Sequence, residues 1–261
     1  MDLALYHPQF GYYVRPVETA DEERIGWSGD FYTSSDVHPI LGQALAKQAW
    51  QLDEQLGRRL VEQCLARVAC RHAPAGFTDR LRYVLIERSA AMRTIQQRTL
   101  APWLGETGRV AWVDRLADLP AESITGLFFS NELVDAFPVH RVAVIGGCPQ
   151  ELWVDCREGR FVETYRPLSE ELQAYLREGG ITLPEGYRTE INSAAIDWMK
   201  QVASSMARGL VLTIDYGHTS EDLYGSERAR GTFLCYYRQT SSENAFERVG
   251  EQDMTAHVDF T

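Results

Sequence analysis

The 261-residue sequence lacks the features that mark secreted, membrane-spanning and metal-binding proteins. Its five cysteines are odd in number, form no CxxC pair and show no metal-ligand spacing with the six histidines. No apolar run approaches the roughly 20 residues that a transmembrane helix needs, and the N-terminus has no signal-peptide pattern. We therefore expect reduced thiols, no metal site and no membrane insertion.

Positive charge is also scarce, with 26 basic residues against 37 acidic ones and a formal net charge of -11. Such a balance disfavours nucleic acid or an anionic membrane as the main partner and favours a cationic one. The 44% hydrophobic and 11% aromatic content supports a full core, which excludes a disordered chain.

Several well-known catalytic signatures are absent. The sequence has no GxSxG elbow, no HExxH, no GxxxxGK[ST] and no complete GxGxxG. It therefore gives no support to a serine hydrolase, a zinc protease or a P-loop enzyme.

Four short apolar runs predict strands that are buried on both faces. They are Tyr83 to Ile86, Val110 to Val113, Leu127 to Phe129 and Leu210 to Ile214. The segments between the first three are long enough for crossovers and compatible with helices or turns. This alternation predicts a parallel, doubly wound α/β sheet.

A second group of short runs is separated only by glycine turns, which predicts an antiparallel meander inserted at the edge of the sheet. Its strands are Val139 to Val144, Glu151 to Asp155 and Arg160 to Tyr165. Gly231 to Tyr237 predicts one further strand or extended segment.

Helical periodicity occurs in three stretches. Pro39 opens the first, which continues to Gly57, and a second runs from about Arg58 to Arg71. A third runs from about Ile191 to Met206, with Gly209 at a plausible stop.

Residues 1–33 are aromatic and punctuated by glycines, which predicts an irregular arm or lid. Together with the first helix they form a predicted N-terminal segment over residues 1–57. The predicted core then covers residues 58–261, with an insertion at about 139–190. The aromatic stretch from Tyr6 to Tyr13 suits a lid or a homodimer interface equally well.

The apolar run that begins at Ile124 ends abruptly in polar residues. Asn131 and Glu132 follow the predicted strand and Asp135 lies one turn further on, at the edge where open α/β sheets bind ligands. Two carboxylates beside an amide can hold a cationic substrate and take its proton. Alternatively, Asn131 caps the turn and Asp135 begins a short helix.

Glu87 directly follows the strand that ends at Ile86. A carboxylate at such a position can accept two hydrogen bonds from a ribose diol. The alternative is a surface glutamate that pairs with Arg88 or Arg93.

The fourth strand also ends in polar residues, Asp215 and Tyr216, before Gly217. Tyr216 either lines a pocket or packs against the sheet. His257, near the C-terminus, is either a base or a structural histidine.

Six segments of the sequence resemble, in order, those of the MidA-like class I methyltransferases, which use S-adenosylmethionine. The segments cover nearly the whole chain, and several in order are more specific than any single motif. They are ALYHPQFGYY, GDFYTSSDVHPILGQALA, YVLIERSAAMRTIQ, SNELVDAFPVHR, LTIDYG and GEQDMTAHVDFT.

This resemblance implies a class I methyltransferase fold and roles for particular residues. Glu132 and Asp135 would be catalytic, and could orient a guanidinium by bidentate hydrogen bonds. The residues that would bind the cofactor are Gly29, Asp30, Thr33, Glu87 and Asn131. The residues that would bind the substrate are Tyr12, Asp215, Tyr216 and His257.

The resemblance also implies a partner and a compartment. Mitochondrial members of the family assist respiratory complex I assembly, and one resembles an arginine methyltransferase of a complex I subunit. We accordingly expect a protein substrate with an accessible arginine. The compartment would be the cytoplasm in a bacterium and the mitochondrial matrix in a eukaryote.

One departure from the family leaves other functions open. Nothing between Leu52 and Arg82 supplies both a strand and the glycine-rich turn of class I methyltransferases, so we expect that loop near Gly57, and strands beyond Thr261, to be missing from this sequence. A chain without the loop would be a non-catalytic assembly or binding module. A methyltransferase of another acceptor is a further alternative.

Overall fold

The computed structural model describes residues 1–15, 26–27, 29–33, 38–55, 82–101 and 110–261. The chain divides into two compact units, each assembled from separate segments. The first unit contains Met1–Leu5, Glu132–Ile196 and Asp215–Thr261, and the second contains Tyr6–Asn131 and Asp197–Ile214.

The helices and strands in the described part of the chain range in length from two to 16 residues. The helices are α1 (Asp2–Tyr6), α2 (Ile40–Gln55), α3 (Ala90–Leu100), α4 (Glu170–Glu178), α5 (Ser193–Ser205) and α6 (Ser220–Leu223). The strands are β1 (Tyr83–Ile86), β2 (Val110–Val113), β3 (Ile124–Asn131), β4 (His140–Ile145), β5 (Cys148–Arg157), β6 (Arg160–Pro167), β7 (Arg188–Ile191), β8 (Met206–Ile214), β9 (Gly217–His218), β10 (Leu234–Tyr237), β11 (Thr240–Ser242), β12 (Asp253–Thr255) and β13 (Val258–Asp259).

The second unit contains the parallel strands. β1 pairs with β2, and β3 pairs with β8, both in parallel. Leu127 of β3 is buried against the apolar face of α2, and Phe128 packs against Val202 of α5. The four predicted strands and their parallel direction are therefore confirmed, and the first predicted helix corresponds to α2.

Both ends of α5 differ from the prediction. Ile191 belongs to β7, and the side chain of Asn192 caps α5 by accepting the N–H of Ala195 at 2.9 Å. Gly209 lies inside β8 with a φ of +148°, where a Cβ would overlap the carbonyl of Gly126. Gly209 is therefore a glycine of close strand pairing and not the helix stop.

Burial on both faces was predicted wrongly for three of the four strands, because β1 and β2 contain no fully buried residue and β8 is largely exposed. Leu210 and Val211 are exposed, in contrast to Leu127 and Phe128 of β3. In the described part of the chain β8 has one pairing partner, β3. The apolar run therefore predicted the strand correctly but not its burial.

The first unit contains the predicted meander, β4 to β6, in an antiparallel sheet of order β6-β5-β4-β7. Strand β7, which pairs with β4, was not predicted. The core on this sheet joins Val142 and Ile191 to Leu172 of α4, whose N-terminus is capped by Ser169. Strand β10 confirms the predicted segment and pairs with β11 and β12, while β13 pairs in parallel with β9.

Two predictions fall outside the described residues: the helix from Arg58 to Arg71, and the glycine loop near Gly57 with the boundary at residue 57. No helix in the described ranges is long and apolar enough to cross a membrane. The same ranges contain no cluster of three or more side chains suited to a metal ion.

Candidate functional site

Strand β3 of the second unit ends at Asn131, and the tight turn that follows it belongs to the first unit. Glu132 has a φ of +48°, a conformation that residues other than glycine seldom adopt and that often occurs at functional sites. The Oδ2 atom of Asp215 accepts the N–H groups of Leu133 at 3.1 Å and Val134 at 2.8 Å. Asp215, which follows β8, thus fixes the turn that carries Glu132.

This arrangement corrects the structural alternative drawn from the sequence. Asn131 is the last residue of β3, opposite Ile214, and Asp215 supplies a cap for the turn that follows. Asp135 lies in a turn closed by the hydrogen bond from Phe137 N–H to the Val134 carbonyl, and it does not begin a helix.

Asp135 is the most perturbed carboxyl group of this turn. The residue is buried, with a relative exposure of 7%. Burial, together with the neighbouring negative charges of Asp215, Asp253 and Glu132, raises the pKa of Asp135 to about 8. A bound cation would favour the ionised form and offset this cluster of negative charge.

Two tyrosines accompany the carboxylates. Tyr216 is 58% exposed, and its pKa is raised by partial burial and by Glu132, Asp135 and Asp215. Tyr236 of β10 lies opposite Asp253 of β12 in the antiparallel ladder. An aromatic surface beside carboxylates suits a planar cation such as a guanidinium.

Asp253 and Tyr236 were missed in the sequence. Tyr236 lies in a predicted segment, but Asp253 lies in a strand of three residues, and no local pattern marks the pairing that brings the two residues together. Asp253 lies in the C-terminal segment GEQDMTAHVDFT, so a search of that segment for acids, and not only for His257, would have found it.

The C-terminal segment also holds this site together. The N–H of Ala256 donates to the carbonyl of Asp135 at 2.9 Å, and the N–H of Val258 donates to that of Tyr216 at 2.8 Å. Between them, the His257 ring contacts His218 at 3.0 Å. We call Ala256–Val258 the C-terminal strap.

The second unit contains Glu87. Its Oε1 accepts the N–H of Ser89 at 2.7 Å and its Oε2 accepts the side-chain amide of Gln96 at 3.0 Å. Arg93 donates to the Glu87 backbone carbonyl and pairs with Asp114. Each carboxylate oxygen of Glu87 keeps a further lone pair, so the group fits the two hydroxyls of a ribose.

The arm residues predicted to bind cofactor also belong to the second unit. The hydroxyl of Tyr12, which is 1% exposed, donates to Oδ2 of Asp30 at 2.9 Å. The N–H of Gly29 donates to the carbonyl of Gly26 at 3.0 Å, and Thr33 is half-buried. Tyr12, predicted to bind substrate, is thus placed to orient Asp30.

The structure brings together four of the predicted residues of the first unit, Glu132, Asp135, Asp215 and Tyr216. His257 belongs to the C-terminal strap, whose backbone N–H groups donate to the carbonyls of Asp135 and Tyr216. Gly29, Asp30, Thr33, Glu87, Asn131 and Tyr12 belong to the second unit. Asn131 and Glu132 are consecutive residues, as are Ile214 and Asp215, so the two groups adjoin along the chain.

Solved structures similar to this chain come from Burkholderia thailandensis. A likely methyl transferase bound to S-adenosyl-homocysteine is 32% identical, with a TM-score of 0.81 over 99% of this chain and 67% of that one. A structure of an uncharacterised protein from the same organism is also 32% identical, with a TM-score of 0.76 over 99% of this chain and 66% of that one.

Curated relatives are more distant. The mitochondrial protein arginine methyltransferase NDUFAF7 homolog of Caenorhabditis elegans is 25% identical over 97% of this chain and 63% of its own length. The mitochondrial protein arginine methyltransferase NDUFAF7 of Danio rerio is 24% identical over 99% of this chain and 65% of its own. The chain spans a little under two thirds of the length of these relatives.

A family described as putative S-adenosyl-L-methionine-dependent methyltransferases matches residues 58–261. The match covers well over half of the chain, and the fold agrees with the structures from Burkholderia thailandensis. This chain belongs to that family of S-adenosyl-L-methionine-dependent methyltransferases.

Proposed function

We propose that this protein is an S-adenosylmethionine-dependent methyltransferase of protein arginine. The observation that carries the proposal is the acidic cluster around Asp135, where burial and the charges of Asp215, Asp253 and Glu132 raise the pKa of the carboxyl group. Such a cluster favours a cation, and a guanidinium is the cation that carboxylates hold by paired hydrogen bonds. Membership of the family and the names of the curated relatives support the same function.

Glu87 is the residue of the second unit best suited to hold the cofactor, through its ribose hydroxyls. Gly29, Asp30, Thr33 and Asn131 would contribute further contacts. When bound, S-adenosylmethionine supplies a methyl group activated by the positive charge of its sulfonium.

The residues of the first unit would bind the acceptor. Glu132 and Asp135 would each accept hydrogen bonds from the guanidinium, and the arriving cation would release the proton held by Asp135. Glu132 would accept the proton that the acceptor nitrogen loses once it carries the transferred methyl group.

The proposed acceptor is an arginine side chain on a protein, and a respiratory complex I subunit is the one that the family resemblance implies. The proposed compartment is the mitochondrial matrix in a eukaryote and the cytoplasm in a bacterium. A homodimer formed through the aromatic arm stays a prediction.

Glu132→Gln tests the proposal. The amide keeps the size of the side chain and loses the negative charge, so we expect methyl transfer to an arginine peptide to fall roughly 10²-fold or more. Heat released on titration with S-adenosylmethionine should stay close to that of the wild type. Transfer is measured by mass spectrometry of the peptide.

Glu178→Gln, at the exposed end of α4, is the matched control and should leave both measurements unchanged. If Glu132→Gln transferred methyl groups to the peptide as fast as the wild type does, the assigned role of Glu132 would be wrong. Complete protein that releases no heat with S-adenosylmethionine would favour the non-catalytic binding module instead.

A further inference from the structure

Three side chains form a hydrogen-bonded chain that ends at His257 of the C-terminal strap. Nη2 of Arg228 lies 3.2 Å from Nδ1 of His218, and Nε2 of His218 lies 3.0 Å from Nδ1 of His257. Arg228 also donates through Nη1 to the carbonyl of Asp222 at 2.6 Å, which fixes the guanidinium.

The chemistry of the three groups fixes the direction of this chain. Arginine has donors only, so Nδ1 of His218 must accept and its single proton must lie on Nε2. That N–H donates to Nδ1 of His257. His257 is then neutral, with its own proton on Nε2.

The surroundings support a neutral His257. Burial lowers the pKa of His257, and the neighbouring His218 and Arg228 lower it further. A doubly protonated His257 would have an N–H at Nδ1 facing the N–H of His218, with no acceptor between them.

The backbone around His257 is equally well fixed. Its own N–H donates to Oγ1 of Thr232 at 3.0 Å, and the backbone N–H of Thr232 donates to the buried carboxylate of Glu190 at 2.8 Å. The N–H groups on either side of His257 donate to the carbonyls of Asp135 and Tyr216. His257 therefore sits on the segment that positions the acidic cluster.

We propose that Arg228 and His218 are positioning residues that hold His257 as a neutral hydrogen-bond donor, with its proton on Nε2, so that His257 does not serve as the base. The consequence for catalysis rests on the proposed function: the proton from the methylated nitrogen passes to a carboxylate of the acidic cluster. The Nε2–H of His257 is then available to a carbonyl or carboxylate of the acceptor protein.

The tautomer of His257 can be measured directly, without any assay of activity. Long-range proton–nitrogen correlation spectra of the complete protein, labelled with nitrogen-15 histidine, distinguish a protonated from an unprotonated ring nitrogen. His257→Gln and His218→Gln assign the two rings. We expect His257 of the wild type at neutral pH to be protonated on Nε2 alone.

Arg228→Met removes the donor that sets the direction, so His257 should populate both tautomers. Arg228→Lys retains a donor and should restore the Nε2 form. Arg230→Met is the matched control, because Arg230 lies two residues away in an exposed ion pair with Glu243. A wild-type His257 that is charged or protonated on Nδ1 would overturn the proposal, as would an Arg228→Met spectrum identical to that of the wild type.

Kinetic measurements distinguish a role of His257 as a hydrogen-bond donor from a role as the base. His257→Phe should lower kcat/KM for the peptide ~10-fold, the effect of one lost hydrogen bond, and His257→Gln should recover most of it because its amide can donate. Equal losses in both variants would argue for a base and against the proposal. An inactive wild type would contradict the proposed function and leave the tautomer measurement to decide the positioning role by itself.

Discussion

At the scale of the residue, Asp135 shows how burial changes the chemistry of a carboxyl group. Its pKa rises from 3.8 to about 8 in the fold. Because the folded pKa is raised, the folded protein keeps a proton that the unfolded chain releases between these two values. The stability associated with that proton is fully present below the unfolded pKa and is lost as the pH rises through about 8.

Asp135→Asn should therefore change how stability depends on pH. The amide cannot ionise, so the free energy of unfolding of the variant relative to the wild type should increase between about pH 4 and about pH 8. Each unit of raised pKa corresponds to at most about 1.4 kcal/mol. Urea unfolding at several pH values measures the difference in the free energy of unfolding between the variant and the wild type.

Asp155→Asn is the control, since Asp155 is half-exposed in a surface pair with Arg157 and its replacement should change the free energy of unfolding by less than about 1 kcal/mol. An Asp135→Asn curve that runs parallel to the wild-type curve would show that Asp135 is already ionised at low pH in the fold.

Asp215 acts through its geometry. Its carboxylate accepts backbone N–H groups of Leu133, Val134 and Tyr216. Asp215→Ala leaves these donors without that acceptor, and we expect the free energy of unfolding to fall by about 2 to 4 kcal/mol. Asp197→Ala, which removes an exposed partner of Lys200, should change it by less than about 1 kcal/mol. Equal effects would contradict the role of Asp215 as the clamp of the turn.

At this scale the sequence located the acids but not their partners. Glu132, Asp135 and Asp215 follow apolar runs, and the carboxyl ends of parallel strands meet at one edge of a sheet. Asp253 and Tyr236 reach Asp135 through β12 and β10, which are far away in sequence. Nothing local marks such contacts.

At the scale of the element, Gly209 sets how closely β3 and β8 can pair. A Cβ at this position would overlap the backbone of Gly126. Gly209→Ala should therefore lower the free energy of unfolding by ~3 kcal/mol or more, because backbone atoms must move apart. Chemical unfolding monitored by circular dichroism measures the loss.

Gly147→Ala separates the effect of backbone conformation from that of crowding. Gly147 has a positive φ of 75°, but no atom lies within 4 Å of the place that an alanine methyl group would take, so the cost should be about 1 kcal/mol. If the two variants lose equal stability, close strand pairing is not what requires Gly209.

Apolar runs and helical periods were predictable, whereas the pairing of very short strands was not. The apolar spacing of α2 and the continuous apolar run of β3 are patterns within a single segment of the chain. Strands β9 and β13 have two residues each and exist because they pair with each other. Similarly, the start of α5 depends on the cap supplied by Asn192, which periodicity does not detect.

At the scale of the whole molecule, the formal net charge of -11 bears on substrate binding. A basic acceptor peptide should bind more tightly at low ionic strength, because mobile ions screen attraction between exposed charges. We expect KM for such a peptide to rise several-fold between roughly 0.05 and 0.3 M salt. The affinity for S-adenosylmethionine, a small ligand of low net charge, should change much less.

An arginine peptide flanked by glutamates is the control for this effect. Repulsion should weaken its binding at low salt, so its KM should fall as salt is added. A KM that is independent of salt for both peptides would show that the overall charge of the protein does not steer the acceptor.

The sequence by itself determined the parallel α/β architecture, the meander and the strand-end positions of Glu87, Glu132 and Asp215. These follow from where apolar runs begin and end, which is a local property of the chain. Only the tertiary structure decided that Asp215 clamps the turn, that Asp253 joins the acidic cluster and that Asp135 is buried within it. Their chemistry depends on neighbours distant in sequence, whose proximity arises from packing and not from any local pattern.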